Sequence, residues 1–418
     1  MMLINLSKLI KEIDLKDTVS YLLLITFPII LILGNLFINI FFFLFIFSFI
    51  LNFETNKKLI NNTVIHLLLL FFISLIINLI FSINPHNSFP RVIKIAMIIL
   101  FIIEISRLAL KYKATFYYNI FKIWFFLYLI IIVDIIFEFI FGFNMLKFYS
   151  YIPGRISSFF GTELVVGSFL HGFSLFFLSY LKVNHSRYKF IFYISIFLII
   201  LISFIVGERA NFAKLLISIM IFTFFLERKN IFKILLLYFF TFAVIALFLT
   251  LNNDYKNRYN NQIKFLFSKD FITNYYQNTQ YGAHQIAAFE IFKEYPVFGV
   301  GIKNFRVESY KEKYENKENK TSKLRYATHP HQVHLEFLSE TGIFGYLIFI
   351  YFIFKSCLMG LKRYFDNNNL YLISSLIFIS TSLLPIIPSG SFLSTFNSAI
   401  FWLNFSIMSS FLLKKTKF

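Results

Sequence analysis

The sequence predicts an all-α, polytopic integral membrane protein of about twelve transmembrane helices, with one long external loop containing short amphipathic helices. Three observations predict it. Apolar residues make up 58% of the 418 positions, and the mean hydropathy is +0.71, well above the roughly half-apolar composition of soluble proteins. Apolar runs of about 18 residues or more, long enough to cross a hydrocarbon core about 30 Å thick, recur along the whole chain. Lysine and arginine gather in every second connection between those runs, as cytoplasmic loops require. A β-barrel is excluded, because the runs are continuous rather than alternating apolar and polar.

In chain order, Met1–Asp17 carries Leu3, Leu6, Leu9, Ile10 and Ile13 at helical spacing among lysines. It reads as an interfacial amphipathic helix with no small-residue cleavage site after it. The unbroken apolar stretch Tyr21–Leu51 is too long for one crossing and divides at the turn pair Gly34-Asn35. The spans then fall near 20–34, 36–51, 63–82, 92–109, 118–142, 163–181, 189–206, 211–226, 231–250, 332–354, 369–384 and 392–413. The chain is thereby organised as an N-terminal bundle (1–251), an external loop region (252–331) and C-terminal helices (332–418).

Charge orients this arrangement. Lys8/Lys11/Lys16, Lys57-Lys58, Arg107/Lys111/Lys113, Lys182/Arg187/Lys189, Arg228/Lys229/Lys233, Lys355/Lys362/Arg363 and Lys414/Lys415/Lys417 hold 20 of the 40 basic residues. They place both termini in the cytoplasm. The net charge of +19 is thus a topology signal, scattered over thin loops, and does not suggest a nucleic-acid partner. The 62 phenylalanines read as compositional bias toward A and T rather than as a binding surface. Cys357 stands alone, so an internal disulfide is excluded.

The outer face receives Phe143–Thr162, the tight link Gly207-Glu-Arg-Ala-Asn211 and the long segment Asn252–His331. The last contains 13 basic and 8 acidic residues; long loops translocate largely regardless of charge. Ala283–Glu294 and Lys303–Tyr314 within it have amphipathic spacing. Arg155, in Pro153-Gly-Arg-Ile-Ser-Ser-Phe-Phe-Gly-Thr-Glu163, is either an interfacial anchor or an anion ligand. Arg209 sits in a turn too short to carry it far from the membrane, and its neighbour Glu208 is poorly placed to face it. Two guanidiniums exposed to one compartment suit a pyrophosphate, because the planar fork binds phosphate oxygens in pairs.

The loop ends in Thr328-His-Pro-His-Gln-Val-His-Leu-Glu336, where a polar segment re-enters the bilayer. His329, His331 and His334 have usable metal spacing, but Pro330 restricts the backbone and no companion ligand completes a shell. If Pro330 opens a helix, with Thr328 or His329 near the cap, His331 lies in the first turn beside free N–H groups that attract anions. The helix dipole then keeps its imidazole neutral, as a general base requires. Glu336 and Glu340 are either carboxylates suited to an early helical turn or part of the site. Asp134 and Glu138, one turn apart in the fifth span, have no assigned role. Gly299-Val-Gly301 lacks the strand–turn–helix context and third glycine of a dinucleotide fingerprint and reads as a tight turn.

The order Pro296-Val-Phe-Gly-Val-Gly-Ile-Lys-Asn-Phe305, then His331-Gln-Val-His-Leu-Glu336, then Gly342-Ile-Phe-Gly345 opening a span, resembles the O-antigen ligase and polymerase superfamily. That resemblance implies about twelve spans and a long outer loop after the ninth. The implied reaction is metal-free and cofactor-free transfer of a glycan from an undecaprenyl-diphosphate carrier. The acceptor would be lipid A-core oligosaccharide for a ligase, or a second carrier-linked repeat for a polymerase, at the periplasmic face of a bacterial inner membrane. By the same resemblance His331, with Gln332 in place of the usual Asn, is the essential histidine. Arg209 and Arg155 match the family's arginines after the seventh and before the sixth span. Where many members carry an arginine ahead of Pro-x-x-Gly-x-Gly, this chain has Tyr281-Gly-Ala-His284, so His284, Arg306 or Arg325 is expected to supply the missing positive charge. His334 and Glu336 complete the expected substrate-binding set. A ligase is expected before a polymerase. A transporter is the alternative from another class, disfavoured by the few charges within spans and the lack of paired broken helices in two related halves.

Overall fold

The computed structural model describes residues 13–266, 270–315, 319–385 and 387–413. The amphipathic N-terminal segment, up to residue 12, and the lysines after Leu413 lie outside them. The described residues are helical and contain no strand. We number the principal helices α1 (Leu15–Ile25), α2 (Phe27–Leu33), α3 (Asn35–Leu51), α4 (Thr63–Ile80), α5 (Pro85–Phe141), α6 (Val166–Asn184), α7 (Lys189–Ile205), α8 (Arg209–Leu226), α9 (Ile231–Leu251), α10 (Asn253–Leu266), α11 (Phe271–Asn278), α12 (Gln280–Glu294), α13 (Val333–Asn367), α14 (Leu370–Ser382) and α15 (Thr395–Leu412).

Six of these (α4, α5, α6, α8, α9 and α13) are long and apolar enough to cross a membrane, and a seventh crossing forms if α1 and α2 count as one. The apolar helices α3, α7 and α14 are shorter. The protein is a multi-pass membrane protein. The apolar stretches expected from sequence are helical, but three are built differently from the expectation. The segment expected to span 20–34 is bent by 58° between α1 and α2. Pro28 lies in the first turn of α2, where its ring cannot accommodate the carbonyl of Leu24; Trp124 Nε1 donates to that carbonyl at 3.0 Å instead. The fourth and fifth expected spans are joined in one 57-residue helix, interrupted only at Lys113, whose φ is 50°.

That junction also corrects the reading of Arg107 and Lys111 as loop charges. Arg107 is buried. It binds Asp17 Oδ1 and Glu104 Oε1 at 2.6 Å each, and Ser48 and Asn56 donate to the same Glu104 carboxylate at 2.7 and 2.8 Å. Lys111 reaches Asp17 Oδ2 at 2.6 Å. A buried charge needs such a complete shell, and here the shell ties α1, α3 and α5 together.

Helix α15 is buried on nearly every side and forms the axis of the bundle. Trp402 packs among the rings of Phe71, Phe352, Phe392, Phe401 and Phe405, so part of the phenylalanine content is core. Buried hydroxyls link the helices: Tyr128 with Ser174 at 2.6 Å, Ser179 with Ser374 at 2.7 Å and Thr223 with Tyr238 at 2.9 Å. In an apolar medium such pairs replace the hydrophobic drive between helices.

The loop region has a small core of its own around Ala287, Ala288, Ile291, Val300, Phe305 and Tyr314. Ala283–Glu294 falls in α12 as expected. Lys303–Tyr314 does not form a helix: only Phe305–Glu308 and a turn at Glu312–Tyr314 are helical. Lys303 has φ +69°, which a continuous helix forbids.

Candidate active site

The loop is anchored at a break in α13. Gly342 has φ 65° and ψ −174° inside that helix, so the N–H and C=O groups on either side lose their helical partners. The Pro296–Gly301 turn supplies replacements. Ile343 N donates to Pro296 O at 2.8 Å and Phe344 N to Val297 O at 3.2 Å, while Ser339 O and Glu340 O accept from Val300 N and Gly301 N at 3.0 and 2.8 Å. Asn78 of α4 locks the joint, donating to Phe298 O at 2.6 Å and Glu340 O at 2.9 Å. A Cβ on Gly299 would lie 2.5 Å from the Glu340 carbonyl carbon, and one on Gly342 2.2 Å from Val297 O. The two glycine motifs singled out from sequence, more than forty residues apart, are therefore two halves of one backbone contact. That contact fixes where the histidine segment enters the bundle.

Helix α13 begins at Val333, with Gln332 as its cap accepting from Leu335 N at 2.6 Å. His331 therefore precedes the helix rather than occupying its first turn, which corrects the sequence expectation. It adopts the left-handed region at φ 56°, strained for a side-chain-bearing residue and characteristic of functional positions. Its carbonyl accepts from Ser389 N at 2.9 Å, so the segment between α14 and α15 holds it. Around its ring stand His329 at 4.0 Å, Tyr281 at 4.7 Å and His284 at 5.2 Å, centroid to centroid. His284 Nε2 is bonded to Leu324 O at 2.8 Å.

Burial pushes the His331 pKa down to about 4, the neighbouring His284 lowers it further, and the backbone of Ser389 acts the other way. His329 is pushed to about 3 by burial and then by His331 and Lys303, and His284 is lowered by burial. All three rings are neutral at physiological pH. The cause is desolvation within a histidine cluster, not the helix dipole expected from sequence.

His334 stands apart. Its two ring nitrogens are engaged by Tyr346 Oη at 3.1 Å and Leu383 O at 2.8 Å, so it fastens α13 to the end of α14. Glu336 accepts from Ser391 Oγ at 2.5 Å and Phe392 N at 2.9 Å and holds the segment that bears Ser389. Arg325 is buried among loop carbonyls, donating to Tyr310 O and Lys311 O at 3.2 Å. In these geometries His334, Glu336 and Arg325 each hold partners within the protein.

The arginines come together through glycine. The turns Pro153-Gly154-Arg155 and Gly207-Glu208-Arg209 pack backbone to backbone, with Ile156 N donating to Val206 O at 3.2 Å. A Cβ on Gly207, where φ is +76°, would lie 2.0 Å from Gly154 O. Glu208 faces Arg155 at 3.5 Å, not its neighbour Arg209, and also accepts from Gly167 N at 3.0 Å and Asn211 Nδ2 at 2.6 Å. Arg209 is exposed and donates to Arg258 O at 3.2 Å. Arg258, which sequence reading overlooked, donates from Nε to Gly207 O at 3.2 Å; burial and the charges of Arg209 and Arg155 hold it below its usual range. Three guanidiniums thus share one patch, beside a cavity of about 310 Å³ lined by Gly154, Arg155, Asp254 and Tyr255. Asp134 and Glu138 now have a role. They accept from Met145 N, Ser157 N and Ser158 Oγ at 2.8, 3.0 and 2.6 Å and pin the segment that carries Arg155.

A narrow cavity lined by Ser168, Asn211, Lys214, Val333, Ser389 and Asn397 is bordered by one hydrogen-bond partner from each group. Asn211 is bonded to the Glu208 of the arginine turns, and Ser389 to His331. Among the described residues no group of three or more His, Cys, Asp or Glu side chains is arranged to hold a metal ion.

Residues 194–350 match the family model Wzy_C, described as O-antigen ligase. Over these residues the chain is similar to the O-antigen ligase family. The match runs from α7 into α13 and includes Arg209, His284, Arg306 and His331, whereas Arg155 precedes it. A search of curated proteins found no match. The resemblance drawn from the loop motifs therefore holds.

Proposed function

We propose that the protein is a ligase-type glycosyltransferase that moves a glycan from undecaprenyl diphosphate to lipid A-core oligosaccharide. In this reading it crosses the bacterial inner membrane about twelve times, with both termini cytoplasmic and the loop region in the periplasm, as the alternating basic clusters indicate. The observation that supports the reading is a histidine kept neutral on strained backbone, in a chain that also gathers three guanidiniums in one patch.

Arg155 and Arg209, with Arg258 behind them, would hold the carrier diphosphate and stabilise the charge it gains as the bond from the anomeric carbon to its oxygen breaks. The acceptor hydroxyl attacks that carbon from the opposite face, inverting it, and its proton passes to an imidazole nitrogen of His331. With a depressed pKa, His331 takes the proton late, once the hydroxyl has been acidified by bond formation. Tyr281 and His284 hold the ring in place. No step calls for a metal.

A polymerase would use the same chemistry with a second carrier-linked repeat as acceptor. Glycan profiling of a deletion strain separates the readings. Loss of all polymer from lipid A, with polymer accumulating on the carrier, is the expected result. A single repeat attached to lipid A would mark a polymerase, and an unchanged profile would remove both.

A further inference from the structure

A second group of cations lies beside the histidines and has no part in the mechanism above. Arg91 and Lys94 of α5 and Lys303 and Arg306 of the loop line one cavity of about 460 Å³, together with His86, Asn87 and Thr395. Lys94 and Lys303 are buried. Arg91 is within electrostatic reach of Lys94, Lys303 and Arg306. Yet among the described residues none of the four forms an ion pair. Lys94 Nζ reaches only Asn39 Oδ1 at 3.1 Å and Arg91 Nη1 only Thr395 Oγ1 at 3.3 Å, and Arg306 Nε is buried without a partner.

Two carboxylates are near enough to matter, Glu336 and Glu340. Glu336 is committed to Ser391 and Phe392. Glu340 is approached by the backbone of Lys303 and by Phe305 N, the latter at 3.4 Å, and forms no ion pair. Headgroup anchoring does not account for this arrangement, because an anchoring lysine extends toward water whereas these two are enclosed. The walls are rigid as well. Asn304 donates to Ser82 Oγ at 2.7 Å and Val300 O at 3.0 Å, and accepts from Asn87 at 3.0 Å, fixing the loop to the start of α5. Four cations facing two carboxylates, with no ion pair formed between them, leave an excess of positive charge in a poorly solvated space, which favours a multivalent anion within it.

We propose that this cavity seats a phosphate or diphosphate group of the acceptor, so that the enzyme holds two phosphate-bearing substrates on either side of His331. The inference rests on the glycosyl-transfer reading for its direction, but its anion chemistry does not require transfer to be observed. Two sources share that chemistry, a phosphorylated saccharide of a lipid-anchored acceptor and the diphosphate of a second carrier-linked glycan.

The test is equilibrium binding of radiolabelled inorganic pyrophosphate to the full-length protein in detergent at low salt. The parent is expected to bind two per chain. Arg91→Gln/Lys94→Gln should bind one, with at least a tenfold loss of affinity at the other site, and Arg155→Gln/Arg209→Gln should lose the complementary one. Lys303→Gln/Arg306→Gln, from the opposite wall, should reproduce the first result if the α5 variant does not fold. In Arg155→Gln/Arg209→Gln, displacement of the remaining pyrophosphate by a hexose 1-phosphate would identify the phosphosaccharide source. Displacement by geranyl diphosphate would identify the carrier source. Parental binding in both cavity variants, or displacement by neither compound, overturns the proposal. A parent that binds two pyrophosphates but transfers no glycan would instead overturn the glycosyl-transfer reading alone.

Discussion

His331→Ala is expected to abolish glycan transfer, with a loss of roughly 10²–10⁴-fold typical of a missing proton acceptor, while the protein still folds and inserts. The ring contributes contacts to a neutral aromatic cluster and one hydrogen bond to the Ser389 backbone, and the His331 carbonyl still accepts from Ser389 N in the variant, so its removal should cost little stability. His334→Ala should behave in the opposite way. It breaks one hydrogen bond to Leu383 O at the end of α14 and one to Tyr346 within α13, at about 1–3 kcal/mol for part-buried groups left unsatisfied. Its effect should appear as lower yield and melting temperature, with near-parental turnover in the folded fraction. The pH profile adds a second reading. The active form of His331 is the neutral one and burial depresses its pKa to about 4. Activity should therefore be flat from pH 8 down past the ordinary histidine range of about 6.5, and fall only as the pH approaches 4. An inflection near 6.5 would mean that the ring is solvated, and full activity in His331→Ala would remove it from the mechanism.

Arg209→Lys is expected to lose roughly 10²-fold in turnover although the charge is kept, comparable with losing one preorganised donor to a developing anion. Two causes act together. An ammonium cannot engage two phosphate oxygens as the guanidinium fork does, and the bond from Arg209 Nη1 to the Arg258 carbonyl at 3.2 Å is lost, loosening the third arginine. The measurement is initial transfer rate in membranes of equal protein content. A lysine variant working at the parental rate would show that Arg209 acts as a simple surface charge.

Much of this architecture is legible in sequence because hydropathy has a fixed length scale. The helices, the turn at Gly34-Asn35 and the amphipathic face of α12 follow from apolar runs and spacing alone. The site is legible where a residue type is chemically unusual for its place: Arg209 in a turn of a few residues, His331 at a bilayer boundary. What sequence did not disclose depends on contacts between distant segments. Gly207 and Gly154 touch across more than fifty residues, and Gly299 and Gly342 across more than forty. The placement of His331 outside α13 was misjudged because Pro330 suits a first helical turn, and nothing local signals that Gln332, not Thr328, caps the helix. That His334 would meet Leu383 and Glu336 would meet Ser391 is equally hidden, because those partners lie some fifty residues away in sequence. Arg91 and Lys94 were overlooked because an i, i+3 pair near the start of a span reads as an ordinary headgroup anchor. Only the approach of Lys303 and Arg306 from the loop makes them half of a cavity.

The most direct measurement of the central claim is transfer by the purified protein from a synthetic polyprenyl-diphosphate-linked glycan to lipid A-core oligosaccharide in excess EDTA. Both products should be quantified by mass spectrometry. The predicted result is glycosylated acceptor and free polyprenyl diphosphate in equal amounts, undiminished by chelator and absent with His331→Ala. Loss of transfer on chelation, or acceptor glycosylation without release of the free diphosphate, would contradict the proposed mechanism.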